Sequence, residues 1–191
     1  MAPRNRRRHG GQAVKIVVTG PFSAGKTTLI RTISEITVLS TERGITDETR
    51  AQKAQTTVAM DFGRISIDRD LVLYLFGTPG QERFDFMWEV LGEGMLGYVL
   101  LVDSTRPDSF REAVTINAAF RAMAPVPFVV AVNRTETLTD ELDSALREAL
   151  DIGADVPVLA CDATDKESVK AVLLALLYAL LHEVEPATAH G

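Results

Sequence analysis

The segment Gly20-Pro21-Phe22-Ser23-Ala24-Gly25-Lys26-Thr27 fits the spacing G-x-x-x-x-G-K-[ST], the P-loop. These residue types at this spacing suit one task, the cradling of a polyphosphate. Glycines let the backbone turn tightly enough for several N–H groups to point inward at an anion. A helix that begins at the end of the loop adds its unpaired N–H groups and the positive end of its dipole. On this reading Gly20, Ser23, Ala24, Gly25, Lys26, Thr27 and Thr28 are the candidate phosphate contacts. Lys26 would meet the β- and γ-phosphates, and the Thr27 hydroxyl would ligate Mg2+.

The motif needs a strand before it and a helix after it. Val14–Thr19 is apolar and β-branched, and 26–37 reads as a helix. Strands and helices then alternate. The segment 57–67 reads as extended, 68–70 as a turn, and 71–76 as the returning strand of a hairpin. Gly97–Asp103, Phe128–Val132 and Val156–Cys161 are short apolar runs typical of buried parallel strands. Helices are expected over 108–123, 139–150 and 166–183. The pattern implies an α/β P-loop NTPase fold: a three-layer sandwich around a mostly parallel six-stranded sheet with one antiparallel edge strand. Ligands in such sheets bind at the carboxyl ends of the strands, where the P-loop lies.

Length suits one domain with a full core, taken as 13–184 between a basic tail, 1–12, and a flexible tail, 185–191. The formal net charge of −6 gives no case for nucleic acid as a partner. The single cysteine, Cys161, excludes an internal disulfide, fits a reducing compartment, and reads as a buried strand residue rather than a reactive thiol. No apolar run reaches the length of a membrane span, no signal-type stretch follows the basic start, and the final residues carry no prenylation cysteine. The expected location is the cytoplasm, with any visit to the membrane's inner face made through partners.

After the hairpin comes Phe76-Gly77-Thr78-Pro79-Gly80-Gln81-Glu82-Arg83-Phe84. Here the chain resembles the Ras-like small GTPases, whose third motif ends in G-Q-E-R-F after D-T-A. The resemblance implies that the Gly80 N–H contacts the γ-phosphate of GTP and that Gln81 orients the attacking water. It places the switch I threonine, a ligand of Mg2+, at Thr57 within Thr56-Thr57-Val58-Ala59-Met60-Asp61-Phe62, with Thr56 the alternative. The base-reading N-K-x-D becomes Asn133-Arg134-Thr135-Glu136, in which the Arg134 stem would cover the base and the Glu136 carboxylate, buried, would accept from guanine. The last motif, S-A-K, becomes Asp162-Ala163-Thr164; the Ala163 N–H would face guanine O6 and Asp162 would brace the Asn133 loop.

The chain departs from that pattern in two places near the phosphates. The family's magnesium-side aspartate falls on Gly77, which has no carboxylate, so weaker Mg2+ dependence, slower hydrolysis or both are expected. Asp61 on the neighbouring strand reads first as solvent-facing or in a partner contact, and second as a partial replacement. Phe22 stands where the family keeps a glycine, and its ring would crowd an incoming arginine; Arg43, Arg50 and Arg83 are candidates to act in cis. Phe84, Phe86, Met87, Trp88 and Leu91 form an apolar set in the switch II region, either core-facing or partner-binding, with Trp88 the best anchor for a partner.

The nearest flavour is bacterial and looks like the GTPases of actinobacterial conservon operons, cousins of the gliding-motility polarity GTPases. That likeness implies a roadblock-fold regulator and a sensor-kinase-linked membrane complex as partners. Together these readings describe a GTP/GDP switch with slow hydrolysis. A non-hydrolysing guanine-nucleotide scaffold and an ATP-binding P-loop protein are the rivals.

Overall fold

The computed structural model describes residues 12–40, 60–80 and 85–184. Seven strands and five helices follow one another along them: β1 (Gln12–Thr19), α1 (Lys26–Ile33), β2 (Leu39–Ser40), β3 (Asp61–Ser66), β4 (Leu71–Gly77), α2 (Phe86–Gly92), β5 (Gly97–Asp103), α3 (Ser109–Met123), β6 (Phe128–Asn133), α4 (Asp140–Leu150), β7 (Val158–Cys161) and α5 (Lys166–Val184). The sheet order is β2-β3-β4-β1-β5-β6-β7. From β4 to β7 every pairing is parallel, and β3 runs antiparallel to both of its neighbours. The six expected strands are all present. The two-residue β2 is added outside the antiparallel strand, and β1 begins at Gln12, the last residue of the expected basic tail.

The alternation of each strand decides the layering. In β5, Val99 and Leu101 join the cluster under α1 and α5, while Tyr98, Leu100 and Val102 join the cluster under α3 and α4. In β6, Val129 and Ala131 face the first layer, and Phe128, Val130 and Val132 face the second. Both strands are buried throughout, so both read as continuous apolar runs rather than as alternation. In the second layer the Tyr98 ring stacks on Phe128 at 4.8 Å and meets Phe120 at 5.2 Å. The Tyr98 hydroxyl is satisfied by donating to Asn117 Oδ1.

Helix α1 stops at Ile33, four residues before the expected end. Ser34 leaves the helix in an extended conformation and its hydroxyl accepts the Arg64 N–H, while the Glu35 N–H donates to the Arg64 carbonyl. Pairing with β3 thus wins over helix propagation through the poor helix formers Ile36 and Thr37. Among the described residues no helix is long and apolar enough to cross a membrane.

Chain reversal at β1 positions the site. Its neighbours are β4 on one side and β5 on the other, so connections leave in opposite directions and open a crevice at its carboxyl end. Core integrity here depends on the Phe120 ring. Phe120→Ala should cost about 3–5 kcal/mol, read as a lower denaturant midpoint with little change in m-value.

Candidate functional site

The loop after β1 turns through backbone that side chains resist. Gly20 has φ 140°, Ser23 φ 63° and Gly25 φ 106°. A Cβ on Gly20 would lie 2.1 Å from the Leu101 carbonyl oxygen, so β1 can turn beside β5 only with glycine here. Inside the loop the buried Lys26 ammonium donates to the carbonyls of Gly20 (2.6 Å) and Pro21 (2.7 Å). These bonds hold a positive charge at the start of α1, in a cavity of about 330 Å³. Ser23, Gly25, Thr27 and Thr28 line that cavity, as does Gly80 from the loop after β4. Gly80 packs so closely that a Cβ there would be 2.6 Å from Phe22 Cα and 2.8 Å from Lys26 Nζ. The P-loop and the third motif are therefore brought together. The Thr78 hydroxyl, hydrogen-bonded to that of Thr19 at 3.0 Å, ties the ends of β4 and β1.

Asp61 corrects the first reading of that residue. It is only 8% exposed, lines the cavity, and takes the Thr27 hydroxyl proton at Oδ2 over 2.5 Å. It sits directly opposite Gly77 across the β3–β4 ladder. A Cβ on Gly77 would lie 3.0 Å from Asp61 Cβ and 3.3 Å from its Oδ2, so the aspartate occupies the space that a larger residue at 77 would claim. Of the groups expected to hold Mg2+, Thr27 fits: its hydroxyl faces the cavity with a carboxylate behind it. Thr57 lies outside the described residues, as do Thr56, Gln81, Arg83, Phe84, Arg43 and Arg50.

The base-reading loop and the last-motif loop meet at Asn133. Its buried side chain donates to the Ala24 carbonyl at 2.8 Å and accepts the Ala163 N–H at 3.0 Å. One amide thus bridges the P-loop and the loop after β7, whose Ala163 carbonyl also accepts from the Thr32 hydroxyl. Three expectations change here. The Ala163 N–H is spent on Asn133 instead of standing free for a base. Asp162 braces its own turn, accepting from the Thr164 N–H (2.8 Å) and hydroxyl (2.7 Å), and those bonds lower its pKa. Glu136 is exposed rather than buried. Arg134, at φ 64°, ion-pairs with the buried Asp103 carboxylate and reaches the Ser23 carbonyl, so its stem lies along the cavity wall.

Asp103 escaped the sequence reading, although it ends β5 at the sheet edge where ligands bind. It also accepts from the Thr105 N–H and hydroxyl. Arg106 was missed as well; its guanidinium donates to the Phe22 carbonyl at 3.2 Å. The Phe22 ring is half exposed at the cavity mouth. In α2 the apolar set divides, and the alternative left open for Trp88 falls on the core side: Trp88 packs on Phe120 at 6.2 Å and Leu91 is buried, whereas Phe86, and Val90 beside the set, face outward. Cys161 is buried as expected, and burial pushes its thiol pKa up to about 11.

Fold and cavity define a P-loop NTPase of the α/β type. Residues 18–183 match the family described as "Conserved hypothetical ATP binding protein", and the chain belongs to that family. An uncharacterized protein of Methanocaldococcus jannaschii is 28% identical over 123 residues, covering 64% of this chain and 71% of that protein. The GTP-binding protein ypt4 of Schizosaccharomyces pombe is 26% identical over 183 residues, 90% of this chain and 73% of its own. Ras-related protein Rab7 of Drosophila melanogaster is 26% identical over 132 residues, 64% and 58% respectively. The chain is therefore a distant relative of Ras/Rab-like small GTPases.

Asn133→Ala would leave the Ala163 N–H and the Ala24 carbonyl unpaired in the interior. The expected loss is about 1–3 kcal/mol per orphaned group, measured by denaturant unfolding.

Proposed function

We propose that this chain is a guanine-nucleotide-binding switch that hydrolyses GTP slowly. The observation that carries this reading is the convergence of Lys26, Thr27 and Gly80 on one cavity at the carboxyl ends of β1 and β4. Relatives named as GTP-binding and Ras-related proteins support it. In this reading the P-loop N–H groups and Lys26 hold the phosphates, Thr27 and Thr57 hold Mg2+, and Gln81 orients water. Asn133, Arg134, Glu136 and the Asp162–Ala163 turn face the base. Mg2+ would polarise the phosphate oxygens and offset charge that develops on them. Hydrolysis is slow because Phe22 crowds the γ-phosphate end, and Gly77 leaves any magnesium-side carboxylate to come from another strand. Complete loss of hydrolysis would make the chain a guanine-nucleotide scaffold.

A second reading, ATP binding, draws on specific observations. Glu136 is exposed, the Ala163 N–H is already bonded, and the family's description names ATP. Without a buried acceptor pair, discrimination against adenine weakens.

By its likeness to conservon and polarity GTPases, we place the protein in the bacterial cytoplasm. It would answer to a roadblock-fold regulator and reach a sensor-kinase-linked complex at the inner face of the membrane.

Competition of GDP, GTP and ATP for the purified full chain, with phosphate release followed in the same samples, tests these readings. Guanine selectivity with slow, Mg2+-dependent release is the expected result. Equal or tighter ATP binding would overturn the guanine reading, and guanine binding with no release would establish the scaffold. Lys26→Ala should weaken nucleotide binding about 10- to 100-fold, the equivalent of ~1.5–3 kcal/mol for a hydrogen bond to a charged group.

A further inference from the structure

We infer that Asp61 is the magnesium-side carboxylate of this site, supplied from β3 in place of the one that Gly77 lacks on β4. The inference rests on nucleotide binding at the P-loop, as proposed above, and extends it to a residue of β3.

Three observations converge on Asp61. The first is its burial with little compensation. It is more than nine-tenths buried, and among the described residues no lysine or arginine forms an ion pair with it. Its hydrogen-bond partner is the neutral hydroxyl of Thr27. A buried carboxylate so sparsely neutralised is costly unless a cation joins it.

The second is the direction of that hydrogen bond. Thr27 Oγ1 donates its proton to Asp61 Oδ2, which leaves the oxygen lone pairs of Thr27 for a cation in the cavity. Accepting the proton also draws negative charge onto the hydroxyl oxygen, so the ligand becomes more basic. Asp61 is thus a positioning residue that orients Thr27 and adds one negative charge to the site.

The third is steric exclusion across the ladder. Asp61 and Gly77 are register partners, and a Cβ at 77 would press on Asp61 Cβ and on Ile30 Cδ1 (2.8 Å). The two strands share one side-chain volume beside Thr27. With Asp61 filling it from β3, a side chain at the opposing position on β4 would have to displace the end of Ile30 and crowd Asp61. Loss of the aspartate on one strand and gain on the other are one substitution in space.

The test is a Mg2+ titration of nucleotide affinity in the full-length protein. It uses a fluorescent analogue of GDP or ADP, whichever the competition assay selects, and begins from EDTA. Asp61→Asn should raise the Mg2+ midpoint about 10- to 100-fold while nucleotide affinity in EDTA stays close to wild type. The exchange variant Asp61→Gly/Gly77→Asp returns the carboxylate from the other strand. It should restore the midpoint to within about threefold, a rescue that loss of packing would not give. Thermal unfolding of the nucleotide-free variants controls for folding. A wild-type midpoint in Asp61→Asn would overturn the inference and leave nucleotide binding intact. Should Asp61→Asn not fold, a folded exchange variant with an unrestored midpoint would overturn it equally. Absence of nucleotide binding by the wild type would instead remove both this inference and the reading it rests on.

Discussion

Two buried charges of opposite sign flank the start of α1, and the surrounding structure is arranged to tolerate them. The Lys26 ammonium is held by carbonyls of its own loop, and the Asp61 carboxylate by the hydroxyl of the residue after that lysine. Neither arrangement survives a shift of its strand. The loop carbonyls reach Lys26 only because β1 turns at Gly20 against the backbone of β5. The carboxylate reaches Thr27 only because β3 runs antiparallel to β4 in the register that pairs 61 with 77. The result is a cavity with a positive pole suited to phosphate and a negative pole suited to a cation.

Asn133 is the second constraint, and it is made of neutral hydrogen bonds. Its amide holds the P-loop to the loop after β7, so the ends of β1, β6 and β7 are tied together. Arg134 adds a bond to Ser23 while neutralising Asp103, a carboxylate that burial alone would penalise. This corner therefore works first as a brace for the P-loop. Its capacity to read a base is what remains after the brace is satisfied, and the inward turn of the Ala163 N–H shows how much has been spent.

Sequence reading was strongest where local chemistry and periodicity coincide. The P-loop and the runs 97–103 and 128–132 declared strands and cavity together, because short apolar runs rich in β-branched residues and bounded by turn residues fit strands buried on both faces. It was weakest where a residue's meaning depends on what lies across from it. Asp61 looked solvent-facing, yet the information to place it was present. Asp68-Arg69-Asp70 is the hairpin turn, its first carboxylate accepting the N–H groups of Asp70 and Leu71, and counting outward from Arg69 pairs 61 with 77. Trp88 stayed open between core and partner for a different reason. Nothing local reveals that α3 presents Phe120 to it. Glu136 was assigned burial from its place in a motif, and it stands exposed.

The departures from the small-GTPase pattern fall unevenly, and physics explains why. The phosphate-holding half relies on backbone N–H groups, so its demands on sequence are a few glycines and one lysine, all of which this chain meets. The base and metal ends rely on side chains, whose roles can be lost, exchanged or relocated without disturbing the main-chain cradle. At the metal end, Asp61 on β3 stands opposite Gly77 on β4 with its carboxylate on the Thr27 hydroxyl, so a carboxylate lies beside Thr27 although Gly77 has none. At the base end, among the described residues, Glu136 is exposed, Asp103 is committed to Arg134 and Asp162 to its own turn. The groups in place therefore suit phosphate better than they suit a base.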